Sequence, residues 1–334
     1  MHFLLSRTDA IGDVVLTLPV AGVLKREFPE SQVSLLVRRA TSPVARYCRH
    51  VHAVLNWDEI ERLPAREQVE ILERVGADVI ILIYPNRAIA LRASQAGIRV
   101  RIGTIRRHFH WFSCNRLVHL RRKNSPLHEA QLNLKLLEPL GIKCTYLAAE
   151  IFGLYGLDGM PTLGDDIKAL IDPLRFNLIV HPKSGGTSRE WPCEYFVSLI
   201  RSLPPARFNI LVTGSEQEGE QLRGSFPWGL PHVVDLMGRL SLTELIALIA
   251  AADGLVASST GPLHIAAAMG KHAIGIYSPL RSKRASRWGP VGVGARVFQL
   301  DGNCAACRRM RDCECMRRIL PDQIRDYLQT LARS

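Results

Sequence analysis

The apolar run HFLLS (2–6) breaks at Arg7 and Asp9 and resumes only after Gly12-Asp13. A short continuous apolar run predicts a buried strand, and VVLTLPVAGVLKREF (14–28) predicts the helix after it. SQVSLLVRR (31–39) supplies a second strand, so the N-terminal region predicts a βαβ unit. Farther on, DVIILIY (78–84) follows PAREQVEILERVG, whose Val69, Leu72 and Val75 fall at helical spacing. Strands apolar throughout, alternating with helices, predict a parallel sheet covered on both faces.

The pattern restarts after GLYGLDGMPTLGDD (153–166), a polar passage with glycine and proline that reads as an interdomain connection. FNLIVHP (176–182) predicts a strand, and PCEYFVSLIRSL (192–203) a helix with Phe196, Leu199, Ile200 and Leu203 on one face. FNILVTG (208–214), SLTELIALIAAAD (241–253), GLVASS (254–259) and HAIGIYS (272–278) continue the alternation, and PDQIRDYLQTLAR (321–333) predicts a final helix. The expectation is an α/β protein of two doubly wound domains, 1–160 and 161–334, facing a cleft with the ligand at the carboxyl ends of the strands. The final helix could pack back on the first domain.

At 334 residues the chain is long enough for two such domains. Its 43 basic against 31 acidic residues give a formal charge of +12, which favours anionic partners such as nucleotides, phosphorylated glycans or an acidic membrane surface. No apolar run reaches a membrane span, and Arg7, Asp9 and Asp13 interrupt any signal-peptide core, so a cytoplasmic location is expected. Cys48, Cys114, Cys144 and Cys193 read as reduced core residues. Cys304, Cys307, Cys313 and Cys315 form C-x-x-C followed by C-x-C, enough thiolates for zinc or for disulfides. The second pair is close for a zinc ribbon, and packing is the plainer reading; no metal is expected.

HPKSGGTSREWP (181–192) joins a strand to a helix through small and hydroxyl residues, either an anion cradle with Arg189 or a plain turn. In SSTGPLHIAAAMG (258–270), Ser259 or Thr260 caps a second helix, Pro262 suits its first turn and Gly270 its end. His264 inside that helix is either structural or a ligand contact. Glu216 and Glu218 could accept from a ribose, although surface carboxylates are the plainer reading, and the backbone at Leu240 could read an adenine edge. RRHFHWF (106–112) mixes cations and aromatics, as an acceptor-binding or anionic-lipid loop would, ahead of a core-facing aromatic cluster. Arg121-Arg122-Lys123 would extend that surface. No RNA-binding module accompanies these residues, and no nucleic-acid partner is expected.

Taken in order, Gly12-Asp13, the hydroxyl loop ending in Arg189 before Trp191-Pro192, S-T-G-P-x-H-x-A-A-A (259–268), W-G-P (288–290) and the cysteine-bearing tail resemble glycosyltransferase family 9, the ADP-heptose:lipopolysaccharide heptosyltransferases. The resemblance implies a GT-B fold of two Rossmann-like domains, the first for the acceptor and the second for the nucleotide sugar. It also implies an inverting, metal-independent transfer of heptose from ADP-heptose to a lipid-linked lipopolysaccharide core acceptor, at the inner face of the cytoplasmic membrane. Asp13 would be the general base, with Asp9 in reserve. Thr187 and Ser188 would contact phosphate through their hydroxyls, and Thr260-Gly261 would contact the diphosphate through the backbone. Two positions depart from the pattern: Arg189 stands where the family has lysine, and Ser259 where it commonly has aspartate. They leave open a different donor sugar, and a non-catalytic nucleotide-sugar-binding relative is the alternative from another class.

Overall fold

Two parallel six-stranded sheets organise the chain, in a computed structural model that describes residues 1–122, 125–186, 188–302, 304 and 314–332. They belong to two units, Met1–Gly159 and Met160–Ser334.

The first unit contains β1 (His2–Ser6), β2 (Gln32–Val37), β3 (Ala53–Asn56), β4 (Val79–Leu82), β5 (Val100–Thr104) and β6 (Arg116–Val118), in the order β3-β2-β1-β4-β5-β6. Leu4 pairs with Ser34 on one side and Ile80 on the other, and Phe3, Leu4 and Leu5 are fully buried. A strand with a neighbour at each edge and helices over both faces has no solvent side, hence its unbroken apolar sequence.

The second unit contains β7 (Phe176–His181), β8 (Phe208–Val212), β9 (Val233–Asp235), β10 (Gly254–Ser258), β11 (His272–Tyr277) and β12 (Ala295–Gln299), in the order β12-β11-β10-β7-β8-β9. The final helix, Pro321–Leu331, is anchored in this unit. Ile324 and Leu328 share a core cluster with Phe196, Leu199 and Leu203, and the Arg207 guanidinium donates to the carbonyls of Gln329 and Ala332.

The helix read at 14–28 is two helices, Ile11–Val15 and Leu18–Glu27. Pro19 explains the break, because its ring would meet the carbonyl four residues back, that of Val15. The second helix presses against the turn near residue 154: a Cβ built on Gly22 would lie 2.2 Å from the Leu154 carbonyl oxygen. Glycine to alanine inside a helix ordinarily gains about 1 kcal/mol. Here Gly22→Ala is expected to destabilise the fold by about 1–3 kcal/mol, through overpacking, read as a lower urea midpoint.

Candidate active site

In each sheet the candidate residues gather where the strand order reverses, between β1 and β4 and between β7 and β10, the place where open α/β sheets bind ligands. On the first sheet, β1 runs directly into Arg7, whose side chain is only 4% exposed and is surrounded by carboxylates. Arg7 Nε donates to Asp9 Oδ1 at 2.7 Å, and Nη2 donates to Asp13 Oδ1. Nη1 lies 3.7 Å from Glu129 Oε1. Arg122 closes the cluster, donating to Glu129, to Asn133 Oδ1 at 3.0 Å and to the Ile83 carbonyl beyond β4 at 3.4 Å.

Glu129 and Asn133 come from the helix Glu129–Leu134 and, being four residues apart, share one face. Asn133 Nδ2 also donates to the Leu16 carbonyl at 2.9 Å, satisfying a group that the helix break leaves without an intrahelical partner. This corrects the reading of Arg122 as part of a basic surface. Asp13 does not cap the helix it enters: Ala10 holds that position and Asp13 stands in the first turn, its carboxylate turned to Arg7. Gly12 lies inside the same turn and is not among the glycines with positive φ, so no left-handed backbone explains it.

The cluster holds three carboxylates against two guanidinium groups. Burial raises the Asp13 carboxyl above its ordinary range and the Glu129 charge adds to this, while Arg7 opposes both. Burial also pushes Asp9 up to about 6 against the pull of Arg7. Since native Asp9 holds its proton more tightly than in the unfolded chain, its contribution to stability is full below about pH 4 and is lost as pH rises through about 6. Asp9 and Asp13 keep 21% and 19% of their side-chain surface open, so a substrate can reach them. The hydroxyls of Ser6 and Thr8 beside them are buried without a hydrogen-bond partner among the described residues.

On the second sheet, the loops after β7 and β10 feed the helices Cys193–Ser202 and Gly261–Ala268. Trp191 N donates to Ser258 Oγ at 3.0 Å, tying the two loops together. Gly185 and Gly186 adopt positive φ, the conformation that glycine tolerates best, and turn the loop 184–190. Two carboxylates line it. Glu190 Oε1 accepts from Ser184 N and Oγ at 2.9 Å, and Glu218 Oε1 accepts from Gly185 N at 3.0 Å.

Glu218 also closes a capping box with Ser215 on the helix Glu216–Leu222. Burial works against its charge, but the hydrogen bonds from Ser215 and Gly185 hold its carboxyl below the ordinary range. Ser188 Oγ and Thr260 Oγ1 are buried without hydrogen-bond partners among the described residues. Thr260 is the N-cap by backbone conformation only, since its side chain makes no capping bond.

Ser259 bonds to Tyr277, His264 is buried in the helix, and Leu240 lies half-buried in the loop after β9. Thr187 lies outside the described residues. A cavity of about 470 Å³ is lined by Ser188, Arg189, Glu190, Trp191, Lys283 and Arg317. The last two bring cations to the cavity from outside the loop 184–190. Among the described residues no group of three His, Cys, Asp or Glu side chains could hold a metal; Cys307 and Cys313 lie outside them.

Residues 72–316 match the profile of glycosyltransferase family 9 (heptosyltransferase). A Haemophilus influenzae protein carried under a provisional glycosyltransferase name is 25% identical over 303 residues, covering 86% of this chain and 85% of its own. Lipopolysaccharide heptosyltransferase 3 of Escherichia coli is 23% identical over 283 residues, covering 80% and 79%. The solved structure of E. coli ADP-heptose LPS heptosyltransferase II superposes over 99% of this chain and 98% of its own with a TM-score of 0.76 at 18% identity. The profile spans well over half the chain and takes in the loops that form the second site, and the two parallel sheets are those of a GT-B protein: the chain belongs to glycosyltransferase family 9 and is a glycosyltransferase.

Proposed function

We propose that this protein transfers heptose from ADP-heptose to a lipid-linked lipopolysaccharide core acceptor, with inversion and without a metal, in the cytoplasm at an anionic membrane face. The first unit supplies the base and the second the donor cradle. The observation that carries the reading is the buried cluster on the first sheet, where the Asp13 carboxyl group meets Arg7, is partly open and has a raised proton affinity. A base must be accessible and basic enough to take a proton as the acceptor hydroxyl attacks the sugar C1. Arg7 fixes its direction.

On the donor side, Ser188 and Thr260 offer hydroxyls that have no partner among the described residues, and the Gly261–Ala268 helix presents its N-terminal N–H groups. An anion gains from such a terminus. Arg189, with Lys283 and Arg317 around the same cavity, supplies positive charge for the departing diphosphate. Thr187 would add a hydroxyl, Glu218 would accept from the ribose, and Leu240 would meet the adenine through its backbone. Heptosyltransferase 3 of E. coli, named for lipopolysaccharide, and a solved E. coli heptosyltransferase holding ADP support this choice of donor and acceptor.

A panel of nucleotide sugars offered with truncated lipopolysaccharide acceptors tests the reading. Transfer from ADP-heptose in preference to other donors is the expected result. Transfer from a different donor alone would move the assignment to another sugar, the alternative that Ser259 leaves open. Binding of every donor without turnover would make the chain a nucleotide-sugar-binding relative.

The acid limb of kcat/KM against pH is expected to lie above the ordinary aspartate range, because the base must be deprotonated and its pKa is raised. Glu129→Gln removes a charge that raises Asp13, so it is expected to move that limb to lower pH. An unmoved limb would separate Glu129 from the base.

A further inference from the structure

Between Asp78 and Glu129 the chain has no acidic residue and ten arginines and lysines. Some of these are engaged internally: Arg122 with Glu129, Arg92 with Gln68 and Gln95, and Arg101 with the carbonyls of Ile98 and Ser113. Arg106, Arg107, Arg116 and Arg121 are exposed. Among them stand large side chains in water, Trp111 at 54% and Phe112 at 84% exposure, with Leu117 and Tyr84 also open.

This exposure is fixed by hydrogen bonds. Trp111 Nε1 donates to the Ile105 carbonyl at 2.8 Å, Ile105 N donates to the Val118 carbonyl at 3.1 Å, and the buried His110 Nδ1 accepts from Thr104 N at 2.9 Å. Phe109 packs on the core beneath, leaving the two following aromatics outward. Only part of the segment is therefore the core-facing cluster considered from the sequence.

The segment leaves the carboxyl end of β5, and the strands are parallel, so it stands on the sheet edge that carries Arg7 to Asp13. Strands lie about 4.8 Å apart, which puts β5 and β6 about 10 and 14 Å from β1 along that edge.

We propose that residues 105–112, with Arg116, Leu117 and Arg121, form a bilayer-docking surface in which Trp111 and Phe112 enter the headgroup boundary of a membrane rich in anionic lipid. Tryptophan suits that boundary because its ring is apolar and its N–H polar, and arginines beside it meet lipid phosphate. Charge of a single sign combined with outward aromatics complements an anionic bilayer. The surface deepens the reading that the acceptor is lipid-linked, for it sets Asp13 within a short reach of the lipid.

Co-sedimentation of the full chain with vesicles, without sugar nucleotide, tests it independently of turnover. Vesicles of phosphatidylglycerol and phosphatidylethanolamine are expected to bind the wild type, and phosphatidylcholine vesicles to bind it at least tenfold less. Trp111→Ala/Phe112→Ser is expected to lose at least tenfold in partition with an unchanged circular dichroism spectrum. Arg106→Gln/Arg107→Gln is expected to weaken binding and flatten its dependence on salt. Both variants are expected to transfer sugar to a truncated, lipid-free acceptor at the wild-type rate. Equal binding by wild type and the aromatic variant, or no binding at all, would overturn the proposal. Loss of activity on the lipid-free acceptor would assign the surface to the glycan instead. Failure of transfer in every protein with vesicle binding intact would count against the transferase reading and leave the docking surface standing.

Discussion

Asp13→Ala is expected to lower kcat by about 10²–10⁴-fold, the usual worth of a positioned general base, while binding of ADP-heptose stays within twofold of wild type. The expectation follows from where Asp13 stands. Its carboxylate is held by Arg7, not by the helix backbone, so removing it leaves the capping of the Ile11–Val15 helix untouched. A purely structural role predicts the opposite pattern, a lower urea midpoint with kcat preserved. Calorimetric titration of the donor beside steady-state kinetics distinguishes the two.

Arg7→Ala is expected to destabilise the protein by about 3–5 kcal/mol, the range for leaving buried charges without their partner. Asp9, Asp13 and Glu129 would then face Arg122 alone, and each would bind its proton more readily. The destabilisation is therefore expected to be larger at pH 8 than at pH 5, where part of the excess charge is titrated away. Urea unfolding at the two pH values reads this directly, and an equal loss at both would mean that Arg7 acts through packing of its stem.

The central strands were legible in the sequence because burial on both faces leaves a continuous apolar run, as in β1, β4, β7 and β10. The outer strands were not. β5, β6 and β12 carry Arg101, Arg116 and Arg296, β3 has no fully buried residue to demand an apolar run, and β9 is only three residues long, too short for a pattern to register. At the site, Asp13 stood out because an acid interrupts an apolar run there. Glu129 and Arg122 did not, since their meeting with Arg7 is made by the fold across more than a hundred residues.

A signal was present in the helix Glu129–Leu134, where Glu129 and Asn133 are buried together with Ala130, Leu132 and Leu134. Polar residues at helical spacing on a buried face need partners, and here the partners are the two arginines. Glu190 and Glu218 were obscured in a similar way. Both look like surface acids until the loop 184–190 folds back and places its N–H groups on them.

The most direct measurement is the mass of a truncated lipopolysaccharide acceptor after incubation with ADP-heptose and either wild type or Asp13→Asn. A gain of one heptosyl residue is expected with wild type and, within the same time, none with an Asp13→Asn protein that still binds ADP-heptose. Transfer by Asp13→Asn at the wild-type rate would contradict the assignment of Asp13 as the base.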